Sequence, residues 1–236
     1  MKIGIFTDSH YSDKELSCKT RRPRLSYEKI KEAMQAFVDN GTEAVVILGD
    51  LLDACVDRSD EPMELEKIGN LINSFGIRVY CLRGNHDCDN FSANDFYRIG
   101  NLEPLPFVVK FDNKAMVFLD ANFEESQEPY QPREVDWTNS ILPNAQIEQL
   151  KSVLDSEDLA EAVIFIHQRL DDCEDVRYNV KNSQEIRRIL EHSQKVNRVF
   201  QGHYHKGDGK VINGIRYITV AAMCEGEANT YLITEI

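Results

Sequence analysis

Short apolar runs, each closed by a polar cluster, alternate with amphipathic stretches along the first third of the chain. Ile3-Gly4-Ile5-Phe6 opens a first strand, Lys2–Thr7, that ends in Asp8-Ser9-His10. Val45-Val46-Ile47-Leu48 is too short for a helix and reads as a buried strand. It closes on Gly49-Asp50-Leu51-Leu52-Asp53, where Gly49 frees the backbone to turn. A third strand, Arg78–Leu82, runs into Arg83-Gly84-Asn85-His86-Asp87. Between them, Ser26 is placed to cap a helix reaching about Asn40, with Tyr27, Ile30, Met34 and Phe37 on one face. Pro62–Ser74 repeats the pattern with Leu65, Ile68 and Leu71/Ile72 inward. Strand–helix–strand–helix–strand predicts parallel strands joined by crossovers. Parallel strands bring all three polar ends to one edge of the sheet.

The rest of the chain predicts a short helix near Ser92–Ile99 and a hairpin of Phe107–Phe111 and Ala115–Leu119 turning at Asp112-Asn113. Asn122–Pro143 is a long polar stretch with three Pro and the only Trp, Trp137, and loops of this length are usually functional or mobile. A helix, Asn144–Leu154, is capped by Asn144. The strand Ala162–Ile166 ends at His167, and Arg198–Gln201 ends in Gly202-His203-Tyr204-His205. Between these two strands, Ser183–His192 reads as a helix with Ile186, Ile189 and Leu190 inward. Lys210–Ile212, Ile215–Ala221 and Thr230–Ile233 read as closing antiparallel strands. No repeat or linker divides residues 1–236, so a single domain is expected.

Composition narrows the function. The net charge of −13 argues against wrapping a nucleic-acid polymer or coating an anionic membrane. It leaves room for a small anionic substrate if cations line the pocket. The six Cys form no C-x-x-C pair, and Thr7-Asp8 interrupts the apolar start before it could serve as a signal peptide. A cytoplasmic protein with reduced thiols is expected. There is no Gly-x-Gly-x-x-Gly, P-loop or Gly-x-Ser-x-Gly elbow, so dinucleotide binding, P-loop chemistry and serine hydrolysis lack their sequence patterns.

Candidate chemistry collects at the strand ends: Asp8 and His10, Asp50 and Asp53, Asn85, His86 and Asp87, His167, His203 and His205. Five of the six His fall there; His192 closes a predicted helix, where the dipole suits it, and reads as structural. An isolated carboxylate such as Asp50 is too costly to bury unpaired and needs a cation. Each short motif occurs often by chance. Their coincidence at successive strand ends is what carries weight.

Asp8-x-His10, Gly49-Asp50-x-x-Asp53, Gly84-Asn85-His86-Asp87, His167 and Gly202-His203-x-His205 together resemble the calcineurin-like metallophosphoesterases. The resemblance implies an α/β fold in which two mixed β-sheets pack as a sandwich flanked by helices, a four-layer α/β/β/α arrangement. It implies two divalent metal ions, of which Mn, Fe or Zn suit mixed imidazole and oxygen donors. Asp8, His10, Asp50 and His205 would hold one, and Asp50, Asn85, His167 and His203 the other, with Asp50 bridging. The implied reaction is hydrolysis of a phosphoester by a hydroxide that bridges the two metals. His86 would then protonate the leaving group or bind a phosphoryl oxygen, with Asp87 orienting it and Asp53 also supporting the ligands. Cys88 reads as packing.

Tyr178-Asn179-Val180-Lys181-Asn182, Asn213-Gly214-Ile215-Arg216-Tyr217, Ala222-Met223-Cys224-Glu225-Gly226 and Thr20-Arg21-Arg22 further resemble the manganese-dependent ADP-ribose/CDP-alcohol diphosphatases. Some of those relatives carry Gln where this chain has His10. A phosphodiester or diphosphate bond of a small nucleotide-like substrate is the expected target. A phosphomonoester or phosphoprotein, or a non-catalytic scaffold role, remains the alternative. Arg21 and Arg22, in the densest basic cluster, are candidates to grip a phosphate distal to the metals. Arg133 and Trp137 are second candidates, for base or sugar contacts.

Overall fold

Strands that are apolar on both faces need cover from two sides, because successive side chains point to opposite faces of a sheet. The computed structural model describes residues 1–236. β1 (Lys2–Phe6), β2 (Ala44–Ile47) and β3 (Arg78–Cys81) are parallel, joined through α1 (Ser26–Asp39) and α2 (Glu61–Asn73). α3 (Asn85–Asn90) and α4 (Ala93–Ile99) lead to the antiparallel hairpin β4 (Val108–Phe111) and β5 (Lys114–Leu119). β6 (Glu161–Ile166) and β7 (Val196–Gln201) extend that sheet in parallel, after α5 (Asn144–Leu154) and α6 (Ser183–Ser193) respectively. β8 (Asp208–Ile212) and β9 (Ile215–Thr219) form a second hairpin, and β9 lies parallel to β7. β10 (Leu232–Glu235) returns to pair antiparallel with β1. The result is two mixed sheets, ordered β10-β1-β2-β3 and β4-β5-β6-β7-β9-β8.

Alternation assigns each residue to a layer. Ile3, Ile5 and Val46 from the first sheet meet Met116, Phe118, Val163, Phe165 and Phe200 from the second. Rings at this interface follow one another from Tyr80 to Phe118, Phe165 and Phe200, with centroids 5.2, 5.3 and 5.4 Å apart. Phe6, Val45 and Ile47 face the other way, onto Ile30, Met34 and Phe37 of α1 and Leu65, Ile68 and Ile72 of α2. Val117, Ile164, Ile166 and Tyr217 pack against Ile147 and Leu150 of α5 and Ile186 and Leu190 of α6. This is the four-layer α/β/β/α sandwich. No helix is long and apolar enough to cross a membrane.

Several local expectations change. The last strand is Leu232–Glu235, not Thr230–Ile233, and it joins β1 rather than the β8–β9 hairpin. Nor is β9 antiparallel to every neighbour, because it runs parallel to β7. Periodicity reports that a strand exists, not which edge receives it. Ser26 does not cap α1. Leu25 holds that position, and Ser26 Oγ donates to the Ser9 carbonyl, tying α1 to the loop after β1. Pro143, not Asn144, holds the cap position of α5. Finally, Asn85 begins a short helix where a strand-end loop was expected, with consequences for Asp87.

Candidate active site

Five strand ends meet at one mouth. β1 delivers Asp8 and His10, β2 delivers Asp50 and Asp53, and β3 delivers Asn85 and His86; β6 and β7 of the other sheet add His167, His203 and His205. Four of these residues hold a left-handed backbone: Asp8 (φ 50°), His10 (43°), Asp50 (52°) and His203 (65°). Such conformations persist only where the surroundings over-determine them. Here backbone hydrogen bonds do so, Asp8 N to Gly49 O at 3.0 Å and His10 N to Asp50 O at 2.9 Å. Two glycines let the backbones close in. A Cβ at Gly84 would lie 2.1 Å from Asp50 Oδ1, and one at Gly202 2.2 Å from Thr7 Oγ1 and 2.8 Å from Asp8 Oδ2.

The two central carboxylates each use one oxygen for the scaffold and turn the other inward. Asp8 Oδ2 accepts from Thr7 Oγ1 at 2.6 Å and His203 N at 3.0 Å. Its Oδ1 is buried without a hydrogen-bond partner, 3.5 Å from His205 Nε2 and 3.7 Å from His10 Nε2. Asp50 Oδ1 accepts from His86 N at 2.8 Å. Its Oδ2 lies 3.4 Å from both His10 Nε2 and His167 Nε2. Asn85 Oδ1 is 3.3 Å from His167 Nε2, and His203 Nε2 is buried with no partner. The Nε2 atoms of His10 and His205 face each other at 3.2 Å.

This set is tested for a metal by what it leaves unpaired. Two buried carboxylates, an orphaned carboxylate oxygen and an orphaned imidazole nitrogen are costly together unless a cation joins them. Asp50, His167 and His203 offer ligand atoms within 4.8 Å of one another, and so do Asp50 and His10 with His86, whose ring is instead engaged through Nδ1 by Asp53 Oδ1 at 3.2 Å. All are nitrogen or oxygen donors suited to borderline divalent ions. Cys224 lies within the same reach of His10 and His205. Burial pushes its thiol pKa up, however, so it is a poor thiolate ligand. Burial lowers the His10 pKa to about 4, helped by His86, and that of His203 to about 3, helped by His167, so both rings have lone pairs to offer. Burial opposes the charge of Asp50, but His167, His86 and His10 outweigh it and hold the carboxyl well below the usual range. For His167 burial also opposes the charge, yet Asp50 prevails and the ring is pushed up to about 9.

His86 stands at the mouth, its side chain 31% exposed, with its ring edge-on to His10 at 4.5 Å. The expected orienting partner, Asp87, is not there. Because α3 starts at Asn85, Asp87 is rotated about 100° around the helix axis from His86 and turns into the core. Its carboxylate accepts from Gly84 N at 2.9 Å, Leu52 N at 3.0 Å and Leu51 N at 3.2 Å. It is a buried clamp between α3 and the loop after β2. The partner of His86 Nδ1 is Asp53 Oδ1, at 3.2 Å. The Asp87 carboxyl is pushed up to about 6 by burial and by Asp50, against the pull of its three N–H donors. Asp87→Asn turns one acceptor oxygen into a donor that faces backbone N–H groups. A loss of about 1–3 kcal/mol in stability is expected, read by denaturant unfolding. An unmoved transition would contradict the clamp.

A cavity of about 440 Å³ opens over these groups. Arg21, Thr20, Cys18, Glu225, Trp137 and Tyr178 are among the residues that line it. Arg21 Nη1 lies 3.7 Å from Asp53 Oδ2 and 3.5 Å from His10 Nδ1. Arg22 is not brought in. Arg21 pairs through its backbone with Ser17 and Glu225, whereas Arg22 leads into the 3-10 turn Pro23–Leu25, its N–H held by the Cys224 carbonyl at 2.7 Å, and does not line the cavity. Arg133 is likewise turned away, toward Glu61 Oε2 at 2.7 Å, where it pins the long loop to α2. Trp137, on that loop, does reach the site, with its ring 5.5 Å from both Tyr178 and His203. Tyr178 and Glu225 lie on loops without periodic pattern. Only the expected resemblance of the short segments around them to the diphosphatases pointed to them. A larger cavity of about 570 Å³ between α5 and α6 contains none of these groups.

A four-layer sandwich with imidazoles and carboxylates gathered at the strand ends defines a metal-dependent phosphoesterase. The pattern described as calcineurin-like phosphoesterase matches residues 1–207, and the chain belongs to that family. The family typically binds two divalent metal ions, and the clusters on either side of Asp50 suit them. A dimetal phosphatase from Danio rerio superposes with a TM-score of 0.80 at 19% identity, over 98% of this chain and 91% of that one. A Thermus thermophilus protein gives 0.60 at 11% identity, over 94% and 89%. A purple acid phosphatase from yellow lupin (Lupinus luteus) seeds gives 0.64 at 13%, over 99% of this chain and 47% of that one. At these identities the likeness concerns the fold. No curated protein matches by sequence.

Proposed function

We propose that this protein hydrolyses a phosphodiester or diphosphate bond in a small nucleotide-like substrate. The observation that carries the reading is the make-up of the cavity, in which Trp137, Tyr178 and Arg21 share one lining with Asp50, Asn85, His203 and His205. Asp8, His10, Asp50 and His205 would hold one divalent cation, and Asp50, Asn85, His167 and His203 the second. When bound, such a pair supplies Lewis-acid neutralisation of phosphoryl oxygens and lowers the pKa of water.

The chain's own residues do the rest. Asp50 Oδ2 lies between the two histidine sets, at 3.4 Å from each. With Nδ1 engaged by Asp53, His86 has Nε2 left to donate a proton to the leaving oxygen. Arg21 supplies a guanidinium for a phosphate beyond the scissile bond. The rings of Trp137 and Tyr178 offer faces on which a base can stack, and base stacking tolerates many bases. The resemblance of several segments to the ADP-ribose/CDP-alcohol diphosphatases supports a nucleoside diphosphate as substrate and manganese as metal.

The test is steady-state kinetics with Mn²⁺ on ADP-ribose, bis-nitrophenyl phosphate and nitrophenyl phosphate. The nucleoside diphosphate compound should show the highest kcat/KM, and a preference for the monoester would overturn the reading. Arg21→Ala should raise KM for ADP-ribose about 10-fold or more, the scale of one lost charge-assisted hydrogen bond. It should leave the aryl diester, which has no second phosphate, nearly unchanged. Arg22→Ala should change neither. Equal effects of Arg21→Ala on both substrates would remove the distal-phosphate role.

A further inference from the structure

We infer that Glu225 is a positioning residue for His205, holding its ring so that Nε2 faces Asp8 and His10. This rests on the proposed role of His205 as a metal ligand. Glu225 Oε1 lies 2.7 Å from His205 Nδ1, so that nitrogen is the proton carrier and Nε2 presents its lone pair. Nε2 then sits 3.5 Å from Asp8 Oδ1 and 3.2 Å from His10 Nε2. His205 is the only ionic partner of the Glu225 carboxylate.

The other rings are backed differently. His167 Nδ1 donates to a neutral acceptor, the Leu48 carbonyl, at 2.8 Å. His10 Nδ1 has the Arg21 guanidinium 3.5 Å away. A carboxylate behind an imidazole fixes the tautomer and ring orientation and raises the basicity of the opposite nitrogen. Glu225 therefore favours the cation on the Asp8 side and leaves the His167–His203 side alone.

The strap that carries Glu225 is built to hold it still. Buried Lys29 donates through Nζ to the carbonyls of Met223 at 2.8 Å and Gly226 at 2.9 Å. Backbone bonds join Ala222 N to His205 O at 3.0 Å, Met223 N to Thr7 O at 3.0 Å and Cys224 N to Asp8 O at 3.1 Å. The strap is thus tied to the segments that carry Asp8 and His205. A backbone bridge between Glu225 and Arg21 adds the loop that lines the cavity.

Calorimetric titration of the metal-stripped full-length protein with Mn²⁺ alone tests this. Wild type should take up two equivalents. Glu225→Ala should weaken one of the two by about 10–100-fold and leave the other unchanged. Glu225→Gln, whose amide oxygen can still accept from Nδ1–H, should recover most of that loss. Unchanged constants in Glu225→Ala, equal weakening of both equivalents, or a Gln variant as poor as the Ala variant would each overturn the positioning role. If wild type itself binds no Mn²⁺, it is the metal reading of the whole site that fails. The comparison between wild type and variant separates the two failures.

Discussion

Asp50→Asn should strip the protein of metal and lower turnover by about 10³-fold or more while leaving the fold in place. The size follows from the charge. The Asp50 carboxylate is the one anion placed between both histidine sets, with Oδ2 3.4 Å from His10 Nε2 and from His167 Nε2. Losing a bound divalent ion removes several kcal/mol of transition-state charge stabilisation, and each 1.36 kcal/mol is tenfold in rate. Retention of the fold follows from the backbone. Position 50 has φ 52°, a conformation that Asn tolerates well among non-glycine residues. The amide oxygen can still accept from His86 N, as Asp50 Oδ1 does at 2.8 Å. Metal content after dialysis, with circular dichroism for the fold, checks both halves. Two full equivalents retained by the variant would remove Asp50 from its bridging role.

His86→Ala should keep both metals and lower kcat for a nucleotide or alkyl ester by about 10²–10⁴-fold, the usual range for general acid catalysis. A nitrophenyl ester should lose much less, because nitrophenolate leaves without a proton. Asp53→Asn should show the same substrate dependence in weaker form, since Asp53 Oδ1 is what His86 Nδ1 meets, at 3.2 Å. If both esters lose rate equally while the metals stay, His86 instead stabilises charge on the phosphoryl oxygens. If the metals leave as well, the loop after β3 holds a ligand other than Asn85.

The contrast between Asp53 and Asp87 shows where the sequence stops being legible. Strand ends can be read because an apolar run of four or five residues followed by a polar cluster has few other meanings, and parallel pairing then brings the ends together. That logic places Asp8, Asp50 and Asn85 at one sheet edge and reads His167, His203 and His205 as further strand ends; only the resemblance to the metallophosphoesterases joined the two sets, which belong to different sheets. Which neighbour each group touches depends on the turn that follows the strand. Asn85 starts a helix, so Asp87 swings into the core and Asp53, arriving from a different strand, takes its place beside His86. Arg21 and Arg22 are adjacent in sequence, but only Arg21 lines the cavity, because the chain turns at Arg22 into a 3-10 turn. Trp137, Tyr178 and Glu225 arrive on loops whose paths are set by distant anchors: Arg133 on Glu61 for the first, and Lys29 on the strap for the last. β10 is visible as a strand, but its pairing with β1 is not, because an edge has no local signature.

The central claim is that two cations share Asp50, and anomalous diffraction from a crystal grown with Mn²⁺ tests it most directly. Two anomalous peaks should flank the Asp50 carboxylate. One should be in contact with Asp8, His10 and His205, and the other with Asn85, His167 and His203. A single peak, or two peaks of which only one touches Asp50, would contradict the account.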